Sequence, residues 1–174
     1  MASPHQRIIN TGRLLVGLAR TGQVLTILGL LALTYMLFRI AQPWYPDFRD
    51  FLPRLFNEPA LALVNGWGAL CTAIYLWTLE RIRLIGTTLQ HHAPISAEVA
   101  SAVRRSVPAL LLCGFSTLLQ FDLAWSGVPA SATATLKFNW MAFYAVCLLC
   151  VCVLVVARIL QVAVELKAEN EGFV

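Results

Sequence analysis

Five cysteines, three histidines and nine carboxylate side chains are what this chain offers for chemistry, and their placement argues against most of it. Cys71, Cys113, Cys147, Cys150 and Cys152 all fall inside long apolar runs. Disulfide exchange needs a thiolate that solvent can reach, and the segments between the runs contain no cysteine. Cys147 and Cys150 share a helix face and would suit a soft metal, but no histidine or acid accompanies them at that depth. They read as small, polarizable packing residues. Haem held between helices requires histidines within the runs, whereas His5, His91 and His92 lie outside them, so no cofactor and no metal are expected. His91 and His92, just ahead of Pro94, read as part of a solvated turn. No phosphate-binding glycine loop, metalloprotease pair or Ser-His-Asp order can be assembled, so enzymatic activity is not expected.

Polar residues inside apolar runs carry more information, because each costs free energy unless it is paired. Asn65 and Gln120 stand at similar depth in their runs, Asp122 follows closely, and Arg39 ends the first run on the same side. These four are expected to form one hydrogen-bonded cluster, with Asp122 and Arg39 as its ion pair. Such a cluster can clamp helices together, or it can line an ion path or a ligand-sensing site.

The elements that position these residues follow from hydropathy. Fifty-nine per cent of the residues are hydrophobic, only 13% are charged, and mean hydropathy is +0.71. Residues 21–38, 59–79 and 138–157 contain no charge. A fourth run, 106–121, continues past Asp122 through Leu123, Ala124 and Trp125 to a break at Gly127, Val128 and Pro129. A bilayer core about 30 Å thick takes roughly 20 helical residues, and all four runs meet that requirement. The expected fold is therefore all-α: one membrane domain, residues 1–174, forming a four-helix bundle with spans at about 21–40, 59–80, 106–126 and 138–158. The first run is too long, and too far from Met1, for a cleaved signal peptide, and it reads as a retained anchor.

Orientation follows the lysines and arginines. Arg7, Arg13, Arg20, Arg81, Arg83, Arg104, Arg105, Arg158 and Lys167 fall on one side of the four-span layout, and Arg39, Arg49, Arg54 and Lys137 on the other. The richer side is expected in the cytoplasm, which places both termini there and the protein in the cytoplasmic (inner) membrane. The net charge of +4 then reflects topology and contact with anionic lipid, without direct nucleic-acid binding. Self-association into a homo-oligomer is compatible with so much apolar surface.

Between the spans, the external loop 42–58 carries Phe48, Phe51, Leu52 and Leu55 at helical spacing, opposite Asp47, Asp50, Arg54 and Glu58. With Trp44 and Tyr45 just before it, this pattern predicts an amphipathic helix lying along the outer interface. The cytoplasmic connection 80–105 predicts a helical hairpin broken near Pro94, with Ser96 as N-cap and Glu98 in the first turn of the returning helix, which Pro108 is placed to kink. The last span is expected to run on into the tail, 159–174, on a stripe of Ile159, Val162, Ala163 and Leu166. Glu169 and Glu171 would stand at its C-terminus, where the helix dipole disfavours them, so Arg104 and Arg105 of the hairpin are the expected counter-charges. Gly66 and Gly68, flanking Trp67, are small residues of the kind that permit close helix approach.

Two stretches resemble a bacterial and archaeal membrane family catalogued as domain of unknown function 2975. One is the hairpin, from Leu79, Glu80, Arg81 and Ile82 through Ala93, Pro94, Ile95, Ser96, Ala97 and Glu98 to Arg104 and Arg105. The other is the tail, where Glu165, Leu166, Lys167, Ala168, Glu169, Asn170 and Glu171 are similar to the family's acidic closing motif. The resemblance implies a four-helix membrane protein often encoded beside a small helix-turn-helix protein of the Xre type. It thereby implies a non-enzymatic regulator that senses for, or docks, that cytoplasmic partner through Ser96, Glu98, Arg104, Arg105, Glu165, Glu169 and Glu171. A membrane-depolarising toxin whose neighbour is the antitoxin, and a structural subunit of a larger membrane complex, are the alternatives.

Overall fold

The computed structural model describes residues 4–41, 47, 49–50, 53, 57, 59–91, 96–124 and 133–171. Four helices dominate it: α1 (Pro4–Ala41), α2 (Pro59–His91), α3 (Ala97–Leu118) and α4 (Trp140–Glu171). Between α3 and α4 stands an antiparallel strand pair, β1 (Leu119–Ala124) and β2 (Thr133–Phe138). Three of the helices, α1, α2 and α4, are long and apolar enough to cross a membrane. Their outward faces carry large exposed side chains such as Leu25, Leu31, Leu63, Leu70, Leu148 and Val155. In water that surface would be costly at about 25 cal/mol per Å², whereas hydrocarbon solvates it.

Each helix packs antiparallel on its neighbour in sequence. Gly12 meets Gly86 and Gly22 meets Leu79 between α1 and α2. Between α2 and α3, the Thr78 hydroxyl donates to the Ala109 carbonyl at 3.1 Å, and the Cys71 thiol to that of Ser116 at 3.9 Å. Gly114 faces Val146 between α3 and α4. The start of α1, the end of α2, the start of α3 and the end of α4 therefore lie at one end of the bundle, and the strand pair at the other. The contacts that admit close approach are Gly12, Gly86 and Gly114. Gly66 and Gly68 are not among them, since a Cβ at either would meet nothing within 4 Å.

Two expectations about local structure are met at the start of α3. Ser96 has extended backbone, φ −139 and ψ 152, and its Oγ accepts from the Val99 N–H at 3.3 Å, with Glu98 in the first turn. The helix then runs through Pro108 to Leu118.

Beyond Leu118 the expected helical continuation is replaced by strand. The register Leu119↔Phe138, Phe121↔Leu136 and Leu123↔Ala134 pairs apolar with apolar. Gln120↔Lys137 and Asp122↔Thr135 fall on the alternate face. A helix would scatter these residues around its circumference, whereas a two-residue period sorts them. The carbonyls left over at the end of α3 find donors: Asn139 N–H donates to Leu118 at 2.8 Å, and the Trp67 indole N–H to Leu119 at 2.9 Å. Asn139 then caps α4, accepting from Ala142 N–H through Oδ1 at 3.1 Å. The predicted interfacial helix of the loop 42–58 falls largely outside the described residues; within it, the Asp50 N–H donates to the Asp47 carbonyl at 3.2 Å.

Candidate functional site

The charged residues nearest the apolar segments on all four helices meet at one level, toward the end that carries the termini. Gln23, one turn beyond Arg20, donates from Nε2 to Glu80 Oε2 at 3.3 Å, and Glu80 Oε1 accepts from Arg83 Nη2 at 2.6 Å. The guanidinium of Arg81 lies over the Trp77 ring, 5.4 Å from its centroid. A cavity of about 260 Å³ between α2 and α3 joins Arg81 to Arg105, with Thr88, Glu98 and Ser101 on its walls. A smaller one between α3 and α4, about 230 Å³, joins Arg104 to Arg158 beside Leu154, Ala157 and Gln161. Arg81 and Arg83 bury their Nε without a hydrogen-bond partner among the described residues. This belt was legible only in part: the arginines set the orientation, but the contact of Gln23 with Glu80 lies across a helix pair whose register the sequence does not state.

Above the belt the helices continue as a second small bundle. Gly12 and Gly86 cross there, and Val99 and Ala100 are buried. All four helices line an apolar cavity of about 340 Å³ through Ile8, Ile85, Leu89, Val99, Val103, Val156 and Leu160.

The expected partner surface divides. Glu98, Arg104, Arg105, Glu165 and Glu169 are exposed, whereas Ser96 is half-buried and spends its hydroxyl on the cap. The side chain of Glu171 lies outside the described residues. Arg104 and Arg105 form no ion pair among the described residues, so the expected pairing with Glu169 is corrected. The tail carboxylate that approaches them is Glu165, which lines a groove of about 590 Å³ with both arginines. Helical rise explains the miss, because Glu169 lies about 6 Å further along the axis.

Of the four-residue cluster expected at the opposite end, Asn65 and Gln120 are set apart. Asn65 is half-buried against a cavity of about 250 Å³ lined by Leu33, Thr34, Leu37, Gly68 and Phe121. Phe121 turns to the Trp67 ring, edge to face at 5.8 Å. Strand alternation then puts Gln120 on the other face, where it is exposed opposite Lys137. Arg39 is exposed at the end of α1, and Asp122 lies opposite Thr135 in the strand pair with its side chain outside the described residues, as is the expected ion pair.

Buried hydroxyls are closed off locally. Thr78, Ser106 and Ser116 donate to the carbonyls of Ile74, Val103 and Cys113 at 2.7–2.8 Å. Among the described residues all five cysteines are free thiols, and no group of three or more His, Cys, Asp or Glu side chains could hold a metal ion. No family model, no curated protein and no solved structure matches this chain.

Proposed function

We infer that the chain crosses the cytoplasmic membrane four times with its charged end in the cytoplasm, and that it is a non-enzymatic regulator holding a protein partner at that surface. Length supports the crossings. From the belt to the opposite boundary, α1 (Arg20 to Arg39), α2 (Glu80 to Pro59) and α4 (Arg158 to Trp140) each rise about 27–32 Å, the thickness of a hydrocarbon core. The helical part of α3 beyond Arg105 covers only about 20 Å. Three residues of β1 add about 10 Å, which brings Asp122 to the far boundary. Bonds from Asn139 and Trp67 satisfy the carbonyls of Leu118 and Leu119, which would be costly to leave open in hydrocarbon. Phe138 and Trp140, stacked at 6.0 Å, sit where aromatic rings favour the interface.

The observation that carries the docking role is the emergent end of α4. Beyond Arg158 the helix runs about 20 Å further. There Ile159, Val162 and Leu166 are 62%, 41% and 55% exposed, beside Glu165 and Glu169. An apolar stripe edged with carboxylates, standing in water, suits a partner with an apolar patch and basic surroundings. The small helix-turn-helix protein implied by the resemblance is such a partner, being a DNA-binding protein. The local closure of the buried hydroxyls favours this role over ion conduction. Deleting residues 165–174 should release a co-expressed partner from the membrane fraction into the cytosol. Undiminished membrane retention would overturn the docking role.

A further inference from the structure

The groove between α3 and α4 has a feature that docking at the tail does not use. Its cavities, about 590 and 230 Å³, share Arg104 and Gln161 and so adjoin along the helix pair. Three guanidiniums stand on it: Arg104, Arg105 and Arg158. All three are exposed, and none forms an ion pair among the described residues. One carboxylate, Glu165, lines these two cavities, at the outer end beside Val164, so three guanidiniums face one acid there, while Glu98 shares a neighbouring cavity with Arg105. Ala100 and Ala157, on its walls, are buried.

Below the arginines the wall changes character. Leu111, Leu112 and Leu154 are 40–50% exposed, and no charge occurs between Ser106 and Phe121 or between Phe138 and Ala157. The arginines therefore stand where an apolar slope meets the first charge on both helices. That is the level at which a bilayer places its lipid phosphates, and basic pockets between spans on the cytoplasmic side suit anionic headgroups. A guanidinium offers paired donors that match two phosphate oxygens.

We propose that this groove is a binding site for an anionic glycerophospholipid, its phosphate held by Arg104 and Arg158 with Arg105 at the rim, and an acyl chain lying down the slope past Leu154. Glu165 faces the headgroup from the outer end and disfavours a second negative charge there, which selects a singly charged headgroup such as phosphatidylglycerol. The site rests on the helices lying in a membrane; it shares Glu165 with the docking surface, and its test involves no protein partner.

The test uses the full chain purified in detergent and native mass spectrometry with phosphatidylglycerol and phosphatidylcholine of identical acyl chains. Phosphatidylglycerol should be retained about thirtyfold more strongly, as expected for two well-placed arginines. Arg104→Gln with Arg158→Gln should bring the two lipids to parity, while Glu165→Gln should keep or raise the preference. Equal retention by the unaltered chain, or a preference that survives the double substitution, would overturn the proposal. Full displacement of phosphatidylglycerol by millimolar inorganic phosphate would assign the groove to a free anion and overturn it equally. A photoreactive phosphatidylglycerol on the unaltered chain gives a readout that needs no variant. Cross-links to residues 97–108 and 154–165 are expected, and cross-links confined to α1 would contradict the site.

Discussion

Adding one methyl group at Gly12 tests the register of the whole α1–α2 pair. A Cβ built there lies 2.7 Å from the Gly86 carbonyl oxygen and 3.0 Å from Gln90 Cγ. The oxygen belongs to a helix backbone and cannot swing aside, so α1 and α2 must part over the adjoining turns. Overpacking of this kind costs about 1–3 kcal/mol. Alanine also returns about 1 kcal/mol of helix propensity, which would blur the outcome of Gly12→Ala taken alone. Gly17 removes that ambiguity: it stands five residues further along the same helix, is exposed, and has nothing within 4 Å of its Cβ position. The propensity gain is common to Gly12→Ala and Gly17→Ala, so the gap between them isolates the steric cost. For a chain of this size that gap corresponds to a midpoint lower by about 2–12 °C in Gly12→Ala. Circular dichroism at the helical minimum, recorded during heating in a mild detergent, measures it. If Gly12→Ala proved as stable as Gly17→Ala or more so, the close crossing of α1 and α2, and the register that sets Gln23 against Glu80, would be wrong.

Three further substitutions test other joints. Gly114→Ala should destabilise through contacts at 2.7 and 3.0 Å with the branched Val146, and Val146→Ala should recover most of the loss in a double-mutant cycle scored by unfolding. Trp67→Phe keeps an aromatic ring near Phe121 but leaves the Leu119 carbonyl without its indole donor, so stability in detergent unfolding should fall by about 1–3 kcal/mol. Asn139→Ala removes the α4 cap and should cost about 0.5–2 kcal/mol in the same assay, with Asn139→Ser recovering most of it.

What the sequence made legible follows from which forces are local. Charge-free runs of about twenty residues, the Ser96 cap and the uneven arginines are properties of short segments, and they anticipated the helices and the charged end. The strand pair was legible in principle. Leu119, Phe121 and Leu123 alternate with Gln120, Asp122 and Ala124, and the segment 133–138 mirrors them across the Gly127 and Pro129 break. Hydropathy summed over a window hides that alternation, and Asp122 then passes for a polar residue near the end of a helix. The belt joining Gln23, Glu80 and Arg83 was not legible, because it depends on the register of α1 against α2. That register is set by two glycines, Gly12 and Gly86, lying beyond the apolar runs. Gly66 and Gly68 drew attention because they lie inside one, yet they face open space.

The central claim is that α3 and its strand pair complete a fourth crossing, so that the strand pair and the end of α4 lie on opposite sides of the membrane. Single cysteines at Thr135 and Asn170, both exposed positions, test it in intact cells with a membrane-impermeant maleimide. Thr135→Cys should label from outside, and Asn170→Cys only after the cytoplasmic face is opened. Labelling of both from the same side would contradict the account.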